Sequence, residues 1–258
     1  MCSGDRVHDD GVVTATPVWI HAFLDVPRAQ WTGSVAFWSS VTGWAASEPR
    51  GEARQFVTLR PGAGDAWLDL QAIDGPPRIH LDLDSADRSA AVERSIELGA
   101  RPVERYGEVA VMRSPGGLLF CHTIREHSCR FARDDAESVL DQVCVDIPTP
   151  LWDEEVAFWT ALTGRELEHG LRTEFAFLGD PDPSGGLRIL LQRLDSGHGQ
   201  VRAHLDFAVA DRAAQTARHA AQRARVIRVM DRWTVMRAPD GHVYCLTDRD
   251  PLTGRVRR

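Results

Sequence analysis

Val35-Ala36-Phe37-Trp38 recurs in this chain as Val156-Ala157-Phe158-Trp159, and each run leads to a Thr-Gly pair, Thr42-Gly43 and Thr163-Gly164. The offset of 121 residues also carries Asp25-Val26-Pro27 onto Asp146-Ile147-Pro148 and Gln71 onto Gln192. Further along the offset becomes 124. His80-Leu81-Asp82 then matches His204-Leu205-Asp206, Val111-Met112-Arg113 matches Val235-Met236-Arg237, and Cys121 matches Cys245. Matches that keep one order with so small a drift mark a duplicated unit.

Each copy has a period of its own. Trp19 to Val26 alternates apolar and other residues, the pattern of a strand with one buried face. Trp31, Val35, Trp38 and Val41 stand at helical spacing over 28–42, and Gly43 is placed to end that helix in a left-handed conformation. Strands are expected at 55–59 and 66–73. After Gly75-Pro76-Pro77 the cycle restarts with a strand at 79–83, a helix over 86–98 and three short strands ending near 124. The unit is therefore β-α-β-β-β, used twice per copy and four times in the chain. The first and fifth strands are expected to run parallel.

Composition narrows the function. At 258 residues the chain has room for two cores, and 43% hydrophobic with 26% charged residues describes a globular protein. No apolar run approaches the ~20 residues of a membrane helix. The polar Met1–Thr16 stretch lacks the pattern of a secretory signal, so a cytoplasmic location is expected. The net charge of −7 argues against nucleic acid, and the basic side chains are all arginine, which excludes Schiff-base and P-loop lysine chemistry. Five cysteines without CxxC spacing read as reduced thiols. Cys2 and Cys129 lie in segments without periodicity, and Cys144 faces inward with no sequence neighbour that suggests catalysis. GxSxG-type nucleophile signatures are absent.

Four βαβββ units in two pairs resemble the glyoxalase/bleomycin-resistance/extradiol dioxygenase (vicinal oxygen chelate) superfamily. The runs Pro76-Pro77-Arg78-Ile79-His80-Leu81-Asp82-Leu83-Asp84 and Pro239-Asp240-Gly241-His242-Val243-Tyr244-Cys245 are similar to those of a glyoxalase-like subfamily. The resemblance implies an α+β fold, in which four units pair into two domains with curved mixed sheets and helices on the outside. The divisions expected are a tail at 1–16, a glyoxalase-like domain at 17–126, a linker at 127–137, a second domain at 138–249 and a C-terminal tail at 250–258.

In that superfamily each paired sheet curls into a cup, and period-two alternation says which residues face it. His21, Asp69, His80 and Cys121 fall on the positions that match the family's metal ligands. The resemblance therefore implies one divalent metal (zinc, nickel, iron or manganese) in the first cup, with a cup lacking metal as the equal alternative. Cys121 stands where the family's glyoxalases and ring-cleaving dioxygenases resemble one another in placing a glutamate, and a thiolate favours zinc and is no proton shuttle. Asp82 and Asp84, on the same face, read as hydrogen-bond partners of histidine. In the second copy Gln142 and Leu190 replace His21 and Asp69, so the second cup is expected to hold no metal. Trp19, Phe23, Trp67, Gln71, Gln142, Gln192, His204 and Cys245 are the expected ligand-binding wall.

Two functions follow from the resemblance. One is a metal-dependent lyase, isomerase or oxygenase acting on a small oxygen-rich molecule. The other is metal-free binding of an antibiotic or aromatic metabolite, to which aromatic walls are suited. Neither needs nucleic acid or membrane, and either works as a monomer or homodimer.

Overall fold

The computed structural model describes residues 15–124, 137–170, 172–179 and 187–257. Nearly all of the expected N-terminal tail and linker, with Cys2 and Cys129, lies outside the described residues.

The first half runs β1 (Pro17–Pro27), α1 (Trp31–Thr42), β2 (Ala45–Ala46), β3 (Phe56–Arg60), β4 (Leu68–Ile73) and β5 (Arg78–Ser85), then α2 (Arg88–Glu97), β6 (Arg101–Tyr106), β7 (Val109–Arg113) and β8 (Leu119–Thr123). The second repeats it as β9 (Ser138–Pro148), α3 (Trp152–Thr163), β10 (Leu167–His169), β11 (Phe175–Leu178), β12 (Arg188–Leu194) and β13 (Arg202–Val209), then α4 (Arg212–Ala221), β14 (Arg225–Val229), β15 (Trp233–Arg237) and β16 (Val243–Thr247). β2, two residues long, has no period to read in the sequence. Local chemistry sets the helix ends. Asp87 and Asp211 cap α2 and α4 by accepting the backbone N–H groups of Ala90 and Ala214. Gly43 and Gly164 close α1 and α3 at φ 73° and 64°, a region that costs other residues more.

Each half is an eight-stranded mixed sheet, ordered β2-β3-β4-β1-β5-β8-β7-β6 and, in the second, β10-β11-β12-β9-β13-β16-β15-β14. The expected parallel pairing of the first and fifth strands is corrected. β1 and β5 are antiparallel, with His21 opposite Asp82 and Phe23 opposite His80. β1 runs parallel to β4, and β5 to β8. The reason is symmetry: two like units joined edge to edge about a local two-fold axis present their first strands in opposite directions.

Helices α1 and α3 cross between the halves. Trp38 of α1 packs on Tyr244 of the second sheet at 5.4 Å, and Trp159 of α3 packs on Phe120 of the first at 5.5 Å. The apolar core is consequently continuous from Trp19 to Leu246. The stretch expected as a C-terminal tail folds back on the second half, where Arg249 bridges Val256 and Arg188 donates to the Gly254 carbonyl. No helix among the described residues is long and apolar enough to cross a membrane.

One tight contact at this crossing is testable. A Cβ on Gly116 would lie 2.5 Å from Val201 Cγ2 and 2.9 Å from Glu155 Oε1. Gly116→Ala is expected to destabilise the fold by about 1–3 kcal/mol, the usual cost of overpacking. A denaturation midpoint equal to wild type would contradict that.

Candidate functional site

Strand alternation puts Ile20, Ala22 and Leu24 of β1 and Ile79, Leu81 and Leu83 of β5 in the core. It turns His21, Phe23, Asp82 and Asp84 to the other face, where with Asp69 and Thr123 they line a cavity of about 300 Å³. His122, one residue beyond Cys121, faces the helices as alternation requires. It contacts the Ser95 hydroxyl of α2 at 2.6 Å, and burial lowers its pKa to about 4.

The four residues expected to converge on a metal form two groups. His21 is held by two carboxylates, Asp84 at 2.9 Å from Nε2 and Asp69 at 3.4 Å from Nδ1. Burial pulls its pKa down, yet the two acids outweigh burial and raise it to about 9. Asp69 in turn accepts the Thr58 hydroxyl and lies 3.5 Å from Arg50. His80 and Cys121 instead converge with Asp82, one donor atom of each lying within 4.8 Å of the others. Behind them Asp25 holds His80 Nδ1 at 3.1 Å, leaving Nε2 to face Asp82 at 3.4 Å. Phe23 stacks on the His80 ring at 4.8 Å, while Asp82 lines the cavity.

The expected aromatic wall of the first cup is reduced to Phe23. Trp19 is buried and donates to the Ala66 carbonyl, while Trp67, also buried, packs edge-on against Trp44 at 4.6 Å. Trp67 precedes the start of β4 at Leu68, so strand alternation does not govern it. Gln71 is half-buried on β4 and is not among the residues lining the first cavity.

The second cup is larger and is built differently. Its cavity of about 570 Å³ is lined by Gln142, Cys144, Gln192, His204, Asp206 and Cys245, with aromatic walls from Phe175, Phe177 and Trp233. Cys144, His204 and Asp206 converge within 4.8 Å. Here Asp146 holds His204 Nδ1 at 3.2 Å and Nε2 faces Asp206 at 3.4 Å, repeating the arrangement of the first cup. Gln142 donates to Asp206 at 2.6 Å, while its buried Oε1 has no hydrogen-bond partner among the described residues. The four positions matched to the first cup, Gln142, Leu190, His204 and Cys245, hold no carboxylate, and Asp206, two residues beyond His204, supplies one.

Charge follows from packing. Burial disfavours the His204 cation, but the Asp146 carboxylate beside Nδ1 opposes it, and the pKa is raised well above the usual value. Burial likewise pushes the Cys144 and Cys245 thiols up, and the Cys121 thiol to about 11, so all three are protonated at neutral pH. All three are free thiols.

The geometry fits a metal with a changed donor set. Nitrogen and oxygen donors at 2.0–2.2 Å on adjacent corners of a tetrahedral site stand about 3.4 Å apart. The Nε2···Oδ1 separations in both cups are 3.4 Å, long for a charged hydrogen bond. A carboxylate behind the other ring nitrogen is the usual support of a metal-binding histidine. A thiol among the donors suits zinc better than iron or manganese.

Two open cups on paired eight-stranded sheets, each from two βαβββ units, are the fold that the sequence resemblance implies. The chain belongs to the glyoxalase-like domain family, which matches it twice, at residues 21–123 and 142–247. A search of curated proteins finds no match. Among solved structures, the chain is similar to the Mn(II)-bound glyoxalase from Novosphingobium aromaticivorans, at 18% identity and a TM-score of 0.61 over 90% of this chain and 82% of that one. An extradiol ring-cleaving dioxygenase from B. fuscum is 17% identical, with a TM-score of 0.60 over 93% of this chain and 75% of its own. The 2,2',3-trihydroxybiphenyl 1,2-dioxygenase from Sphingomonas wittichii is 15% identical, with a TM-score of 0.57 over 90% of each chain. At such identities the likeness extends to the fold.

Proposed function

We propose that the second cup is the working site, in which Cys144, His204 and Asp206 hold a zinc ion beside a bound small oxygen-rich molecule. The observation that carries this reading is the His204 ring, braced by Asp146 and turned with Cys144 and Asp206 onto the wall of an accessible cavity. When bound, zinc supplies Lewis-acid polarisation of a substrate oxygen without redox change. The reaction class is therefore a lyase or isomerase in preference to an oxygenase. Phe175, Phe177 and Trp233 give the ligand an apolar wall. In the first cup Phe23 stands at the Cys144 position and stacks on the His80 ring.

Zinc titration of metal-free protein, purified without an affinity tag, tests this. One zinc per chain is expected, and it should be lost in Cys144→Ala and His204→Ala but kept in His80→Ala. Asp146→Asn should weaken binding by about 10–100-fold, as loss of a bracing acid does elsewhere. Cobalt in place of zinc should give a thiolate charge-transfer band that Cys144→Ala removes.

A second reading, metal-free binding, is favoured by the same aromatic wall. Quenching of Trp233 emission by an aromatic carboxylate in zinc-free protein, with no zinc taken up, would replace the first reading with this one.

A further inference from the structure

A cavity of about 700 Å³ lies at the junction of the halves, with His204 of the second cup among its lining residues. Its wall carries Arg78, Arg113, Arg202 and Arg237. Arg78 and Arg202 are equivalent positions of the two copies, and so are Arg113 and Arg237, all at the offset of 124. Each half thus contributes the same two guanidinium groups, facing one another across the local two-fold axis where β5 meets β13. The turn of the first half is tied in by the Val201 N–H donating to the Gly116 carbonyl at 3.0 Å.

Four guanidinium groups in one cavity are unexpected in a chain whose net charge is −7. Asp146 is the one carboxylate among the lining residues. It takes the Arg202 Nε at 3.2 Å, and Asp25, just behind the wall, takes the Arg78 Nε at 2.7 Å. Arg113 donates to the Gly117 carbonyl at 3.1 Å. Each such bond uses one of the five N–H donors of a guanidinium and fixes the plane of its fork. The forks of Arg78, Arg113 and Arg202 are oriented and still rich in donors. Arg78 and Arg202 keep half or more of their side chains exposed, so the cavity is open to solutes.

We propose that this cavity binds a compact polyanion with two or more anionic groups, of the pyrophosphate or di- and tricarboxylate kind, one molecule per chain on the two-fold axis. Planar forks in symmetric pairs suit bidentate contacts to two anionic groups of one ligand. A single surface arginine pair would not select for such a ligand. None of the four arginines is among the zinc donors proposed for the second cup.

Calorimetric titration at low salt with inorganic pyrophosphate, and separately with citrate, is the test. One site per chain is expected, weakening as salt is raised because partly exposed ion pairs are screened. The double variant Arg113→Ala with Arg237→Ala should weaken binding about ten-fold or more, with an unchanged circular dichroism spectrum. The lysine pair, Arg113→Lys with Arg237→Lys, should fall between, since it keeps the charge and loses the fork. Arg225→Ala with Arg228→Ala removes the same charge from exposed β14 and should leave affinity within about two-fold. Tighter binding of pyrophosphate than citrate would identify the phosphate source, and the reverse the carboxylate source. Equal loss in the β14 control, two sites per chain, or no binding of either anion would overturn the proposal.

Discussion

Arg249→Met is expected to lower the unfolding free energy by about 3–5 kcal/mol, the cost of stranding a buried charge without its partner. The stranded charge is Asp141, 0% exposed, which Arg249 grips with both terminal nitrogens, one at 3.1 Å. Arg249 itself is 5% exposed and anchors through Nε to the Thr247 hydroxyl at 3.1 Å. With water excluded, the attraction within the pair offsets the desolvation of both groups only while both are present. The double variant Asp141→Leu with Arg249→Met should therefore recover most of the loss, because an apolar pair carries no desolvation cost. Urea unfolding of the two single variants and the double variant closes the cycle. A cost under about 1 kcal/mol for Arg249→Met would mean that solvent reaches Asp141 and the pair behaves as a surface contact.

The same aspartate shows where the sequence stops being legible. Asp141 occupies the position of Ile20 in the first copy, and alternation alone would send it to the core face. The pairing of β9 with β13 shifts register between Asp206 and Phe207, from Gln142 to Leu140, so Asp141 is the extra residue of a bulge. A bulge re-aims a side chain without leaving a trace in hydrophobic period. By contrast, wherever the ladder is regular, the face of each residue followed from the period of two, as His21, Phe23, Asp82 and Asp84 show. The four units and nearly every strand were legible from the repeat and its periodicity, while strand direction was not, because alternation looks the same either way along a strand.

The donor groups in the cups were only half legible for another reason. The family ligand positions pointed to His21 and Asp69, which pair with one another and with Asp84, and not to Asp25 and Asp82. Yet the chain carries a signal of its own. Asp25/Asp146, His80/His204, Asp82/Asp206 and Cys121/Cys245 are the same residue in both copies, whereas His21/Gln142 and Asp69/Leu190 are not. Residues shared by the copies are the ones that build the braced histidine in each cup. Cys144 had no such signal, since its counterpart is Phe23, and its closeness to His204 comes only from the antiparallel pairing of β9 with β13.

Trp38→Ala is expected to cost about 3–5 kcal/mol and to weaken both halves together. The indole is 0% exposed, belongs to a helix of the first half and packs on Tyr244 and His242 of the second. Its Nε1 donates to Asp240 at 2.9 Å, a bond spanning 202 residues of sequence. Trp38→Phe keeps much of the ring but leaves that carboxylate short of a donor, so about 1–3 kcal/mol should be lost. The second crossing reaches the same end with the acid moved. Trp159 donates at 2.7 Å to Glu155 of its own helix, and Glu155 also accepts the N–H of Gly116, the counterpart of Asp240. Ser34 stands in the first helix where Glu155 stands in the second, so one carboxylate serves each crossing, from the turn in one and the helix in the other. Because each helix is core for the opposite sheet, neither half can melt without exposing the other. Calorimetry of Trp38→Ala should show one transition at lowered temperature, with calorimetric and van't Hoff enthalpies in agreement. Two separated transitions would mean that the halves fold independently and that the crossing helices contribute little to holding them together.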